Sequence, residues 1–168
     1  MIAPTQTFEE LASVTLPTPL GIMRATADRC GIRSLEFESV VPARRTSSVT
    51  QPHLELLRAE LSRYFAGELR EFTVPLDPHG TAFQMRVWEQ LRGIQYGATI
   101  SYRELARRVG NAQASRAVGA ANGANPICII IPCHRVIAAD GSLGGYSAGL
   151  RRKERLLALE LTGRLPRA

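Results

Sequence analysis

Chemistry is most concentrated at Cys133 and His134, in the run Ile129-Ile130-Ile131-Pro132-Cys133-His134-Arg135. A thiol stands at the end of an apolar stretch, next to an imidazole and a guanidinium. The thiolate is the nucleophilic form of cysteine, and an adjacent base or positive charge favours it. A free cysteine is also a common small core residue, and a lone histidine is more often a surface or hydrogen-bonded group. The Cys–His pair by itself leaves both readings open. Of the other two cysteines, Cys30 falls in a turn and Cys128 lies inside the apolar run, where it reads as core. Such an odd, sparse count is not a disulfide framework.

The elements that must position this pair form two unlike halves. Residues 20–27 and 32–38 read as strands, and Asp28-Arg29-Cys30-Gly31 supplies a hairpin turn between them. Residues 41–51, rich in Pro, Ser, Thr and Arg, read as an exposed loop. A helix starts at Pro52, with Leu54, Leu57, Leu61, Tyr64 and Phe65 at helical spacing and Gly67 as its stop. Residues 71–76 read as a short strand, and the Pro- and Gly-containing stretch 77–81 as a linker. In the second half Phe83, Val87, Trp88 and Leu91 form an apolar stripe. Ser101 and Glu104 form a capping box that opens a short helix to Val109. After a break at Gly110 and Asn111, a second short helix covers residues 115–122, and the two fit a helix-turn-helix. Residues 127–131 suit a buried strand. Residues 135–138 and 143–146 flank Asp140-Gly141 as a hairpin or wing. Residues 150–161 form a last amphipathic helix with Gly163 as C-cap. The expected fold is α+β: an N-terminal mixed α/β domain (1–77) followed by a C-terminal winged helix-turn-helix domain (78–168), with the boundary near Asp77.

Composition narrows the function. The chain has 168 residues, 45% hydrophobic and 21% charged, enough for a packed core and too apolar for wholesale disorder. Lys and Arg number 21 against 15 Asp and Glu, a net charge of +6. Such a balance favours a polyanionic partner. Almost all of the excess is arginine, with Lys153 the only lysine. Arginine grips phosphates and stacks on bases better than lysine, although a GC-rich genome gives the same usage. No apolar run approaches the ~18 residues that span a bilayer, no secretory signal is visible, and a reducing cytoplasm is expected. The helix of residues 115–122 is unusually small-faced, with Ala117, Gly119, Ala120 and Ala121 after Ala114. Glycine is costly inside a helix. Tight helix packing explains it, and so does docking into a DNA minor groove only ~6 Å wide.

The set Pro132-Cys133-His134-Arg135, with Asn125-Pro126 upstream, resembles the signature of the O6-alkylguanine-DNA alkyltransferases, the methylated-DNA–protein-cysteine methyltransferases. The resemblance runs without a gap from about Gly80 to Glu160. It includes Phe83 to Trp88, Ile100-Ser101-Tyr102, Arg116-Ala117-Val118-Gly119 and Gly144-Gly145-Tyr146-Ser147. The N-terminal half is similar only in size and in its mixture of strands and helix. The resemblance implies direct-reversal DNA repair, in which O6-alkylguanine is flipped out of duplex DNA and its alkyl group moves irreversibly to Cys133, once per molecule. It implies that His134 deprotonates Cys133 through a bridging water, that Glu154 orients His134, and that Asn125 ties the recognition helix to the acceptor segment. Tyr102, Tyr146 and Ser147 become pocket groups, with Tyr102 also helping guanine take up a proton. Arg116 fills the gap left in the base stack, and Arg103, Asn111 and Tyr102 contact DNA. By itself Glu154, between arginines on a helix, is a solvent-facing salt-bridge residue. Its role comes from the resemblance alone.

The implied partner is double-stranded DNA carrying O6-alkylguanine, with O4-alkylthymine as a second lesion. A monomer without cofactor or membrane contact is expected, with cooperative assembly on DNA left open. Cys30, His53 and His79 show no metal-ligand spacing, so no metal is expected. No second thiol is read as poised to remove the alkyl group. The alternative is a non-catalytic sensor of alkylated DNA, which would lack the acceptor thiol. A cysteine hydrolase would leave the basic balance and the small-faced helix unexplained, and a methyl-triggered regulator would need a further zinc domain.

Overall fold

The computed structural model describes residues 11–38 and 51–166. The loop expected over residues 41–51 lies outside them except for Gln51.

The chain opens with a three-stranded antiparallel sheet in the order β1 (Ala12–Thr18), β2 (Gly21–Ala27), β3 (Ile32–Phe37). Alternation sends Val14, Leu16, Met23 and Ala25 into the core. The sequence reading assigned no element to residues 12–18, and β1 contains Pro17. The structure tolerates that proline because β1 is an edge strand. The turn between β2 and β3 is closed by Asp28, whose carboxylate accepts from the Cys30 and Gly31 amides. Helix α1 (Pro52–Phe65) starts with proline in its first turn and packs Leu54, Leu57, Leu61 and Tyr64 against the sheet. Residues 71–76 form no regular strand. One bridge joins Leu76 to Ile32, fixed by Ile32 N donating to Pro75 O and Asp77 N to Ile32 O.

The second half is helical. Helix α2 (Ala82–Arg92) begins with a full capping box at Thr81 and Gln84, which the sequence reading did not single out. A two-residue strand β4 (Ile100–Ser101) leads into α3 (Tyr102–Arg108). Ser101 Oγ accepts from Glu104 N at 3.1 Å, but the Glu104 carboxylate turns to Arg107 and Arg108 instead of reaching back. Gly110, at φ 89°, makes the turn into α4 (Ser115–Gly123). The chain ends with α5 (Leu150–Thr162), closed by left-handed Gly163. Helices α2, α3 and α4 pack on one another as the expected helix-turn-helix.

Two expected strands differ. Residues 127–131 fold into a tight turn with Ile129 at φ 73°, and only Ile127 bridges the sheet. The wing is not a hairpin: β5 (Val136–Ile137) pairs in parallel with β4, and residues 138–142 form a turn held by Asp140 and Ser142. A fully apolar run does not distinguish a buried strand from a buried turn. The two halves share one continuous core. Strand β3 holds the acceptor segment directly, with Leu35 N donating to Pro126 O at 2.8 Å and Cys128 N to Leu35 O at 2.9 Å.

Candidate functional site

The acceptor segment is gripped by two asparagines at the end of α4. Asn125 donates to Ile131 O at 2.7 Å, and its Oδ1 accepts from Ile127 N at 3.0 Å. Its side chain thereby supplies the pairing that this turn denies itself. Asn122, buried on α4, donates to Cys133 O at 3.3 Å. Through these contacts the second helix of the helix-turn-helix and the thiol are a single rigid piece. The structure places Asn125, named from the resemblance, on the Cys133 segment, whereas Asn122 was missed. Its signal was a polar residue one step from Ala121 on the buried face.

Cys133 opens a 3-10 turn (Cys133–Arg135) and is only 1% exposed. His134 is fully buried, and its Nε2 lies 2.7 Å from Glu160 Oε1. The carboxylate is an acceptor, so Nε2 carries the hydrogen. His134 Nδ1 has no protein partner among the described residues. Arg135 donates Nε to Glu160 Oε2 at 2.8 Å and Nη2 to Oε1 at 3.0 Å. Gly97 N donates to Oε2 at 3.2 Å, and the Tyr64 hydroxyl to Oε1 at 2.7 Å.

The carboxylate on His134 is therefore Glu160, which corrects the expectation for Glu154. Glu154 is exposed and makes no contact with the histidine. Helix geometry explains the difference. The buried face of α5 carries Lys153, Leu156, Leu159 and Glu160. Glu154 is six positions before Glu160, about 240° around the helix. The available signal was a carboxylate in line with Leu156 and Leu159.

The electrostatics ease loss of the Cys133 proton in a dry site. The hydrogen bond from the Cys128 thiol lowers the Cys133 pKa most. Burial opposes it, while bonding to Asn125 and the charge of Lys153 add to it, so the net shift is downward. Cys128 is pushed well up by that same bond and by burial, which keeps it protonated as a donor. Burial holds His134 below its usual value against the pull of Glu160. Burial would raise Glu160, but bonds from His134 and Arg135 outweigh it and keep the carboxylate charged.

Lys153 is the other group the sequence did not reveal. Its fully buried ammonium donates to Val136 O at 2.5 Å, to Leu143 O, and to Gly145 O at 3.2 Å. Desolvation brings its pKa down to about 8, against the attraction of Cys133. It gathers the loop that carries Tyr146 and Ser147. Tyr102, Tyr146 and Ser147 line a cavity of about 180 Å³ together with Gly119, Asn122 and Gly145. The Tyr102 hydroxyl donates to Gly145 O at 3.3 Å. The structure thus brings together the three pocket residues expected from the sequence.

Outside the pocket, α4 exposes Arg116, Ala117, Ala120 and Gly123, while Val118, Ala121 and Asn122 face inward. The small residues therefore form a flat outer face, and only part of the small-residue content serves packing. Arg103 and Asn111 are exposed on the same helix-turn-helix. Ligand atoms of Asp28, Cys30 and Asp77 lie within 4.8 Å of one another. The Arg33 guanidinium bonds both carboxylates, at 2.9 and 3.3 Å, and also reaches His79 at 2.7 Å. The cation in that cluster is a side chain.

Fold and site together define a two-domain α+β protein whose helix-turn-helix is tied through Asn122 and Asn125 to a buried Cys–His–Glu set. The comparisons agree with that class. Residues 82–162 match the model of the 6-O-methylguanine DNA methyltransferase DNA-binding domain, and residues 13–78 that of its ribonuclease-like domain. A methylated-DNA–protein-cysteine methyltransferase of Methanosarcina acetivorans is 45% identical over 146 residues, covering 85% of this chain and 94% of the relative. One of Mycobacterium tuberculosis is 59% identical over 101 residues, covering 60% of this chain and 61% of the relative. The crystal structure of Mycobacterium tuberculosis OGT in complex with DNA superposes with a TM-score of 0.80 at 44% identity, covering 90% of this chain and 94% of that one. The chain belongs to the 6-O-methylguanine DNA methyltransferase family. No helix among the described residues is long and apolar enough to cross a membrane.

Proposed function

We propose that this protein reverses O6-alkylguanine damage in duplex DNA by taking the alkyl group onto Cys133. The observation that carries the reading is the buried Cys133 beside the His134–Glu160 pair, held by Asn122 and Asn125 to the exposed small-faced helix. O6 of guanine lies inside the stacked duplex, where a thiolate cannot approach the alkyl carbon in line, so the base must be extruded. The flat face of α4 fits a narrow groove, Arg116 fills the gap in the stack, and Arg103 and Asn111 hold the backbone. Such backbone contacts set position rather than sequence.

His134 Nδ1 accepts the Cys133 proton, relayed by a water, and Glu160 stabilises the resulting imidazolium. Cys133 Sγ then attacks the alkyl carbon. The S–C bond forms, the C–O6 bond breaks, and the electron pair passes into the guanine ring, which takes a proton with help from Tyr102. The products are unmodified guanine and a thioether at Cys133. These atoms balance without a cofactor. Cys128 lies beside the acceptor, yet a thioether does not exchange with a thiol as a disulfide does, so the protein acts once. All the groups named come from one chain, which makes a monomer sufficient. O4-alkylthymine presents a similar alkyl ether. Three free cysteines fit a reducing cytoplasm, and Asp77 is the natural division between the two domains.

The test is intact-protein mass after mixing with an O6-methylguanine duplex. One added methyl, saturating at one per chain, mapped to Cys133 and absent in Cys133→Ala, is the expected result. An unchanged mass with tight lesion binding would instead make the protein a sensor.

A further inference from the structure

The acceptor site draws one of its groups from the other half of the chain. Tyr64 lies on α1, in the N-terminal half, and is fully buried. Its hydroxyl donates to Glu160 Oε1 at 2.7 Å, the same oxygen that accepts from His134 Nε2 at 2.7 Å. Its ring is held edge-on by Phe65 and Tyr96 and tilted against Phe72. A phenol so placed cannot leave without opening the junction between the two halves. We propose that Tyr64 is a positioning residue of the acceptor site, fixing the Glu160 carboxylate and sharing the negative charge that Glu160 directs at His134.

The donors on Glu160 compete for its charge. Glu160 Oε1 receives Tyr64, His134 and Arg135, while Oε2 receives Arg135 and Gly97. Each donor makes the carboxylate a weaker base toward the others. His134 must be neutral to take the Cys133 proton and must then hold it only briefly. An unshared Glu160 would favour a permanent imidazolium, which is useless as a base. The charged and titratable groups around this pair are Arg135, Lys153 on α5, Cys133 and Tyr96, with Arg70 over the Tyr96 ring. Among the described residues, only Tyr64 brings an uncharged donor other than His134 itself to the oxygen that faces His134. The N-terminal half therefore contributes to the relay as well as to stability.

The inference rests on the proposed alkyl transfer, and one of its tests does not. Tyr64→Phe removes the hydroxyl and leaves the ring packing in place. In the full-length protein, the His134 ring titration is followed by NMR, and the rate of methyl transfer from an O6-methylguanine duplex is followed against pH. The His134 midpoint should rise by about one pH unit, and the acid limb of the rate profile should move up with it, while affinity for undamaged duplex is unchanged. In a Glu160→Gln background the same substitution should move the His134 midpoint by no more than the error. A Tyr64→Phe protein whose His134 midpoint and acid limb stay in place overturns the proposal, whatever its melting temperature or overall rate. A shift that persists without the Glu160 charge overturns it as well. If the unaltered protein transfers no methyl group, the proposed function fails, while the NMR titration still decides the role of Tyr64.

Discussion

Replacing Glu160 by glutamine keeps the shape of the side chain and removes the charge on which the site is built. Five hydrogen bonds converge on this carboxylate, from His134, Arg135 twice, Tyr64 and Gly97. A glutamine offers one oxygen to these donors and points its own amide hydrogens at the rest. Arg135 keeps only its bond to Ile94 O and its place over the Tyr96 ring. Breaking a buried ion pair from one side costs about 3–5 kcal/mol, and those remaining contacts of Arg135 favour the low end. For a chain of this size, about 3 kcal/mol lowers the melting temperature by roughly 6–12 °C. The chemical effect should be larger in proportion. Without the carboxylate the His134 imidazolium loses its counter-charge, and the equivalent change in a hydrolase triad costs about 10⁴ in rate. We expect about 10²–10⁴ slower methyl transfer in a single-turnover assay by intact mass, with duplex binding retained. Glu154→Gln, altered on the exposed side of the same helix, should stay within about 0.5 kcal/mol of the parent and transfer at its normal rate. A Glu160→Gln protein that transfers at near-normal rate, or a Glu154→Gln protein that does not, would refute the assignment of Glu160.

Arg116→Ala should slow transfer from duplex DNA by about tenfold or more, while transfer from the free modified base is unchanged, since Arg116 offsets only the cost of extrusion. Equal loss on both substrates would count against that role. Cys128→Ala removes the donor that most lowers the Cys133 pKa. The midpoint of Cys133 alkylation by a small electrophile should therefore move to higher pH, with Cys128→Ser restoring part of the shift. The stability of the unaltered protein should also fall in acid. His134 has a lowered pKa in the folded state, so below about 6.5 the unfolded chain binds a proton that the folded chain does not. Stability is complete above that value and declines as pH falls toward the folded pKa. Urea melts from pH 8 to pH 5 should show the slope, and a flat profile would mean that His134 is not held neutral.

Local signals in the sequence predicted local structure well. The Pro52 start of α1, the Ser101 cap, the Gly110 break and the Gly163 stop each act within one helical turn, and each appears where it was read. What failed was non-local. Pro17 is tolerated because no described residue pairs with the outer edge of β1, and no local signal marks an edge. Residues 127–131 are apolar enough for a strand, but Asn125 folds them into a turn through bonds only the tertiary structure reveals. The site divides in the same way. Cys133 and His134 are adjacent in sequence and were legible, and Asn125, eight positions before Cys133, was named from the resemblance. Glu160, Lys153 and Tyr64 act from distant elements, and their polar side chains were hidden among apolar neighbours. A buried ionisable residue in a hydrophobic stripe is expensive unless it is paired, so such residues in α5 were the readable clue.

The burial of Cys133 bears on how one thiol can be reactive and yet survive until it meets a lesion. Burial alone would hold the sulfur protonated and inert. Here the donors Cys128 and Asn125 and the nearby charge of Lys153 outweigh burial and lower the Cys133 pKa, while only 1% of the residue is exposed. A soluble electrophile meets almost no surface to attack. The entrance proposed for a flipped base is the cavity lined by Tyr102, Tyr146 and Ser147, whose walls include the loop that Lys153 gathers and residues of α4. The groups that activate the sulfur are thus fixed to the groups that admit the base. On the proposed function, that coupling favours a flipped base over a soluble electrophile in the single reaction.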